Sequence, residues 1–470
     1  MSDINQLRNR IDEITIEMIK MLKMRTDISK EIGEIKKNIG KGVTDETRED
    51  NLRSKIITVC NELKLNESIG TKFLNFLLNE SIKVQSDNKQ THLSIFLKAK
   101  AMELEGKKII HMEVAEPDFQ PPKIVRKALE EVFDKGFLKY GNAKGLPVFR
   151  EALAKYSSEK FGVTVSQDEI LVSPGARFSI YSAITTLLNP GDELIVIEPS
   201  WPAYKECALN SGIKVRTITT TLEGKWEPTV EQIQKVINDN TKMIILNYPN
   251  NPTGSFVEKS KIDFLAEELK KHPHVAILSD EIYSRQIYDG KEMPTFFNYP
   301  DLQDRLIVLD GWSKAYSMTG WRMGWSVWPE KLIPHITKLA INSFSCVNAP
   351  SQFAGIAALD GPDDPIHEMM KKFDQRRKLI HKGLNDLPGV TCSLPGGAFY
   401  AFPNISSFGL SSEEFADLML EKANVALLPG SNFGSQGEGF VRMVYASSES
   451  NIKRALERVA DVCHQLSGRV

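Results

Sequence analysis

The residues with the clearest chemical potential lie in Asp310-Gly311-Trp312-Ser313-Lys314-Ala315-Tyr316-Ser317-Met318-Thr319-Gly320-Trp321-Arg322. Leu306-Ile307-Val308-Leu309, just before it, reads as a short buried strand. Lys314 therefore stands at the mouth of a sheet, where desolvation lowers a lysine toward its neutral, nucleophilic amine. A neutral amine can condense with an aldehyde. Ser313 and Arg322 can together hold a phosphate, one by its hydroxyl and the other by a two-pronged guanidinium. An isolated serine-lysine pair is more often a surface feature. The other strand ends decide which reading applies.

The elements that must position this stretch follow a repeating pattern from Ile109 onward. Ile170-Leu171-Val172, Glu193 to Ile197, Met243 to Leu246, Val275 to Leu278 and Leu306 to Leu309 are short apolar runs separated by amphipathic helices. The pattern predicts an α/β sheet of buried, mostly parallel strands, with ligands at their carboxyl ends. Chemistry collects there. Ser173-Pro174-Gly175-Ala176-Arg177 follows the first run and opens a helix whose free N–H groups suit phosphate. Trp201 and Tyr204 follow the second. Asn247-Tyr248-Pro249-Asn250-Asn251-Pro252-Thr253-Gly254 follows the third and presents amides from a rigid turn. Ser279-Asp280-Glu281-Ile282-Tyr283 follows the fourth, and an Asp at a buried strand end calls for a cationic partner. Phe440-Val441-Arg442-Met443 lies near the end.

This series resembles the fold-type I aminotransferases that use pyridoxal 5'-phosphate, from about residue 92 onward. The carriers are N-N-P-T-G, S-D-E-I-Y and S-K-x-x-x-x-x-G-x-R in this order. The resemblance implies that Lys314 carries the cofactor covalently and moves the proton. It implies that Asp280 pairs with the ring nitrogen, Asn251 and Tyr283 bond the ring hydroxyl, and Trp201 stacks on the ring. The backbone of Gly175, Ala176 and Arg177 would hold the phosphate with Ser313 and Arg322. Tyr140 would serve the phosphate of a neighbouring subunit, and Arg442 would clamp the substrate α-carboxylate, with Trp201 and Asn251 beside it. Val114-Ala115-Glu116-Pro117-Asp118-Phe119 resembles the family's G-E-P-D-F loop with Ala115 in place of glycine. Its N–H is the expected substrate contact, approached past an added methyl.

The first ninety residues differ in kind. They hold no proline or tryptophan. Leu7, Ile11, Ile14, Met18, Met21, Leu22, Ile28 and Ile32 recur at helical spacing, predicting one helix over about 3–38. Two more are predicted over about 45–63 and 67–85, then a linking helix without glycine or proline within about 88–105. Such a long helix cannot bury its stripe within one chain, so a helical dimer is expected. Arg8, Arg25 and Lys36 share neighbouring faces of the first helix but span about 40 Å, too far for one cavity. Leu7-Arg8, Arg25, Lys36, Asp45-x-x-Arg48-Glu49 and Ser81-x-x-x-Gln85 resemble the all-helical (type II) chorismate mutases. That resemblance implies an intertwined dimer. Arg25 and Arg48 would bind carboxylates, and Arg8 would reach across from the partner. Lys36 and Gln85 would donate to the breaking ether oxygen, Glu49 would hold the ring hydroxyl, and Asp45 and Ser81 would complete the cavity. A Claisen rearrangement needs a compact conformer and aimed donors, with no nucleophile or base.

The expected architecture is thus a three-helix all-α domain over 1–88 and a fold-type I aminotransferase over 89–470. The latter divides into a large cofactor domain (about 135–345) and a smaller α+β domain (about 89–134 plus 346–470). A formal charge of −2 offers no basic excess for nucleic acid. No apolar run is long enough for a membrane span, no signal peptide is visible, and the five scattered cysteines suit a reducing cytoplasm. No metal site is expected. Fusion suggests neighbouring steps. The amino acceptor is then prephenate, phenylpyruvate or 4-hydroxyphenylpyruvate, with glutamate or aspartate as donor. Aspartate aminotransferase activity and a regulatory protein with an aminotransferase-like sensor are the alternatives. Homodimerisation or a larger homo-oligomer is expected of both units.

Overall fold

The computed structural model describes residues 2–38, 46–85, 92–136 and 138–467. The chain forms two compact units, Met1–Lys89 and Gln90–Val470. Among the described residues no helix is long and apolar enough to cross a membrane.

The first unit holds three helices: α1 (Ser2–Asn38), α2 (Glu46–Glu62) and α3 (Glu67–Gln85). Their bounds match the sequence expectation to within about a residue, because few breakers interrupt the periodic pattern. α3 packs against both other helices. Burial inside the unit is sparse. Cys60, Leu74, Ser29 and Ser81 are buried, whereas Leu7, Ile11, Ile14 and Met21 are each more than half exposed. The apolar stripe of α1 is therefore not covered by its own chain, and a contiguous patch of this kind marks an interaction surface.

The second unit is organised by a seven-stranded sheet. Its strands are β1 (Ile170–Ser173), β2 (Glu193–Glu198), β3 (Lys214–Thr219), β4 (Thr241–Asn247), β5 (Ala276–Asp280), β6 (Leu306–Gly311) and β7 (Gly324–Val327). Their order is β1-β7-β6-β5-β4-β2-β3. All five expected runs became strands, and all pairings are parallel except the two that β7 makes. The pattern missed β3 and β7 for physical reasons. β3 is an edge strand with half-exposed polar positions, and β7 is a four-residue strand that begins on glycine. Leu278, Ile307 and Leu309 are fully buried on one face of the sheet, and Ile277 and Val308 on the other. Helices cover both faces, which is why the strands read as continuous apolar runs.

Two glycines shape the end of the sheet where ligands belong. Gly175 adopts φ +84 between β1 and the helix α5 (Ala176–Leu187), a conformation that L side chains rarely reach. At Gly324 a Cβ would lie 2.3 Å from the Ala176 nitrogen, so only glycine lets β7 run against the first turn of α5. The rest of the unit is smaller. Ile110–His111 pairs with Val425–Ala426, and Val441–Val444 lies between Leu428–Pro429 and Tyr400–Ala401. The expected linking helix is α4 (His92–Leu104), with Ile95 and Ala99 fully buried.

The fully buried Leu309 immediately precedes the stretch that carries Lys314. Leu309→Ala should lower the stability of the second unit by about 2–5 kcal/mol. Urea unfolding followed by the tryptophans, all of which lie in this unit, measures it.

Candidate functional site

The strand ends converge on a cavity of about 590 Å³, within the range of small-molecule sites. Of the residues expected to act on a cofactor or amino substrate, Ala115, Ala176, Arg177, Trp201, Asn251, Asp280, Tyr283, Ser313, Lys314, Arg322 and Arg442 line it. Gly175 caps α5 at its edge. Tyr140 does not line it and is almost fully exposed.

Asp280 ends β5 and is buried. The Tyr204 hydroxyl donates to its Oδ2 at 2.7 Å, and the Ile282 N–H donates to Oδ1 at 3.2 Å. Burial lifts its carboxyl to about 6, against the pull of the Tyr204 hydrogen bond and the Lys314 charge. It is still mostly ionised at neutral pH. Tyr204 is the protein side chain in direct contact with this carboxylate. Tyr204 was visible as an aromatic at a strand exit, but nothing in sequence says where its hydroxyl points. Asn247, at the end of β4, was also missed. Its amide donates to the Asp280 carbonyl at 3.0 Å and its Oδ1 accepts the Asn251 N–H at 3.1 Å, tying two strand exits together.

Lys314 follows β6 on the single turn Trp312–Ala315. Its Nζ donates to the Ala115 carbonyl at 2.6 Å. The Ala115 carbonyl thus engages Lys314, and the residue lines the cavity in which its N–H is expected to meet substrate. Burial lowers the Lys314 ammonium to about 8, with Arg442 adding to the effect and Glu116 opposing it. Glu116 is itself held by the Thr319 hydroxyl.

Arg442 is buried on Val441–Val444. Its Nη1 donates to Asn251 Oδ1 at 3.0 Å and its Nη2 to the Glu113 carbonyl at 2.5 Å. Its Nε is buried and has no hydrogen-bond partner among the described residues, and its guanidinium lies over the Tyr400 and Phe433 rings. A buried donor left open beside a cavity suits an anionic ligand. Tyr400, another unanticipated lining residue, shares a hydrogen bond with Tyr283. Arg177 contributes more than backbone. Its guanidinium sits 4.5 Å from the centre of the Trp201 ring, inside the cavity.

These residues fit pyridoxal phosphate. Arg322, at φ +52, places its guanidinium against Gly175, where a Cβ would be 2.6 Å from Nη2. A guanidinium beside the N-terminus of a twelve-residue helix, with Ser313 adjacent, is a cradle for a dianion. Asp280 supplies a fixed negative charge for a ring nitrogen, and Lys314 an amine near neutrality.

In the first unit, Arg25 Nη1 donates to the Leu77 carbonyl at 2.8 Å and to Ser81 Oγ. Ser81 also lies 3.1 Å from Ser29 Oγ. Burial lowers Arg25 below its ordinary value, and the charge of Arg48 lowers it further. Arg48 is exposed at the start of α2. Arg8 is exposed, and 17 residues of helix put it about 25 Å from Arg25. Lys36 and Glu49 are half-buried. Asp45 lies outside the described residues, as does the side chain of Gln85, four residues after Ser81 on α3.

The Lys314 assignment has a direct test. A lysine lowered to about 8 gains neutral amine as pH rises through 8, whereas ordinary lysines titrate near 10.4. Competitive acetylation of the cofactor-free protein should show Lys314 reactivity rising about tenfold per pH unit and levelling near 8, with exposed lysines still rising. Levelling above 10 would contradict the assignment.

Residues 107–459 match the family described as aminotransferase class I and II, and residues 7–86 match chorismate mutase type II. An aspartate aminotransferase of Pyrococcus horikoshii is 36% identical over 75% of this chain and 90% of its own length. The crystal structure of an aspartate aminotransferase from Rhizobium meliloti superposes with a TM-score of 0.77 at 34% identity, covering 79% of this chain and 95% of its own. An aromatic aminotransferase structure from Pyrococcus horikoshii gives 0.74 at 33% identity, covering 78% and 98%. The chain belongs to the class I and II aminotransferases, as an enzyme of fold-type I preceded by a type II chorismate mutase unit.

Proposed function

We propose that the two units catalyse consecutive steps: chorismate is rearranged to prephenate, and an amino group from glutamate or aspartate is then transferred to prephenate or a closely related aromatic 2-oxo acid. The observation that carries this reading is the arginine set of the cavity. Arg322 belongs to the phosphate cradle, which leaves Arg442 and Arg177 for substrate. Two guanidiniums suit a substrate with two carboxylates, as prephenate, glutamate and aspartate all have. Trp201, Phe96 and Phe433 line the same cavity and give it an apolar wall for a ring. Similarity to aspartate aminotransferases favours a second reading, in which oxaloacetate is the acceptor.

In this reading the cofactor of the family, pyridoxal phosphate, is bound covalently by Lys314 and supplies an electron sink for the carbon that loses its proton. Lys314 would hold the cofactor and, as an amine, would carry that proton. Asp280 holds a negative charge at the ring nitrogen, kept in place by Tyr204 and Asn247. Asn251 and Tyr283 orient the ring hydroxyl, Trp201 stacks on the ring, and the α5 start, Ser313 and Arg322 anchor the phosphate. Arg442 turns its open Nε toward the α-carboxylate. In the first unit Arg25 and Arg48 hold the carboxylates, Arg8 is supplied by a second copy, and Lys36 and Gln85 aim at the ether oxygen, with Asp45, Glu49 and Ser81 around the ring.

The exposed stripe of α1 and the distance between Arg8 and Arg25 support a homodimer, placed in the cytoplasm. An exposed Tyr140 is suitably sited to serve a neighbouring subunit. We also assign 1–88 to the mutase, 135–345 to the cofactor domain, and 89–134 with 346–470 to the small domain. In support, all seven strands of the large sheet fall between residues 170 and 327.

A panel of prephenate, phenylpyruvate, 4-hydroxyphenylpyruvate and oxaloacetate decides the acceptor, and oxaloacetate alone being turned over would sink the first reading. Arg177→Leu should raise KM for the dicarboxylic acceptor by about 10- to 100-fold, the size of one charged hydrogen bond, and change phenylpyruvate little. Arg25→Ala should abolish prephenate formation while transamination by the same preparation persists.

A further inference from the structure

A second cluster of charge lies behind the cavity. Lys160, on the helix Pro147–Phe161, is 16% exposed. Its Nζ donates to Asp310 Oδ2 at 3.0 Å and to Ser284 Oγ at 2.8 Å, and lies 3.6 Å from Glu281 Oε2. Ser284 Oγ donates to Asp310 Oδ2 at 2.8 Å, and the Gly311 N–H donates to Oδ1 at 2.7 Å. Glu281 Oε1 accepts from Ser279 and Thr295, each at 3.3 Å, while its Oε2 has no hydrogen-bond partner. One ammonium thus serves two buried carboxylates. They sit beside the catalytic groups: Glu281 directly follows Asp280, and Asp310 precedes Lys314 by four residues.

The electrostatics bear on Asp280. The Asp310 carboxylate is among the groups that push the Asp280 carboxyl upward, against ionisation. Burial works against the charge of Lys160, but Asp310, Tyr156 and Glu281 outweigh it and hold the ammonium protonated. Burial likewise raises Glu281 to about 7, with Lys160 opposing. The groups facing Lys160 are Asp310, Glu281, and the Tyr156 and Phe161 rings, with Arg285 and Asp363 acting on Tyr156. Those acting on Asp280 are Tyr204, Ile282 through its N–H, Lys314, Asp310, Tyr283 and Tyr400.

We propose that Lys160 is a positioning residue for transamination: its ammonium clamps the strand exits 280–284 and 310–314 together and neutralises Asp310, so that Asp280 keeps the negative charge that a ring nitrogen requires. The proposal rests on the role given to Asp280 above. Removing Lys160 leaves Asp310 as an uncompensated buried charge on the neighbouring strand exit, acting on Asp280 through the sheet.

The test uses the full chain without cofactor. The folded carboxyl of Asp280 titrates above its ordinary 3.8, so ionisation destabilises the fold. Stability from this group is complete below pH 3.8, falls as pH rises toward 6, and is level above. Asp280→Asn lacks this loss. The Tm difference between Asp280→Asn and its parent should therefore grow across that window and level near pH 6. In a Lys160→Met background it should level about one pH unit higher, the order expected of one charge acting through protein. Lys160→Arg should restore the parent value. Asp310→Asn, which leaves Lys160 the Glu281 partner, should move the levelling below the parent value and keeps the proposal testable if Lys160→Met does not fold. With cofactor bound, the acid limb of kcat should move in the same directions. A purely structural role would lower Tm at every pH and leave the levelling point in place, and that result in either variant would overturn the proposal. Transamination surviving in Asp280→Asn would instead refute the reading of Asp280 itself.

Discussion

The second unit depends on one constraint: a carboxylate held ionised at the end of a buried strand. Taking Asp280 out of water is costly, and the surroundings limit that cost with a phenol hydroxyl, a backbone N–H and the charge of Lys314. Each comes from a different strand exit. Tyr204 follows β2, and Lys314 follows β6. The parallel sheet is what lets chain segments more than a hundred residues apart deliver these groups to one point. Asn247 shows the same economy, since one amide fixes both the Asp280 backbone and the turn that presents Asn251.

The first unit meets charge by the opposite route. Burial and then the charge of Arg48 lower Arg25, so this unit gathers like charges where the second unit pairs opposite ones. Its chemistry asks for cations and amides aimed at developing negative charge, and a helix surface can offer these from widely spaced turns. It cannot collect them from a single straight rod. The fold of each unit therefore follows from the charge it must manage: a sheet edge that concentrates groups, and a long helix that distributes them.

Much of this was legible from residue types. The three helices of the first unit, the five buried strands and eleven of the cavity groups were readable because each depends on local pattern or on a motif with fixed spacing. What could not be read was direction and company. Nothing near Tyr204 announces that its hydroxyl meets Asp280, and the side chain of Arg177 gives no sign of lying over Trp201. Nothing in the sequence around Lys160 marks it out. Only the packing of that helix behind the sheet brings it to Asp310, 150 residues away. The strand β3 escaped because an edge strand need not be apolar on both faces.

The helix His92–Leu104 has a consequence for where this protein can be divided. Ile95 and Ala99 are sealed into the same core as the strands, and Phe96 forms part of the cavity wall. The match to the aminotransferase family begins only at residue 107. A chain trimmed to that signature would lose a cavity wall and uncover the core beneath it. The separable aminotransferase therefore starts near residue 90, and the helix that leads out of the mutase unit is also the first structural piece of the second enzyme.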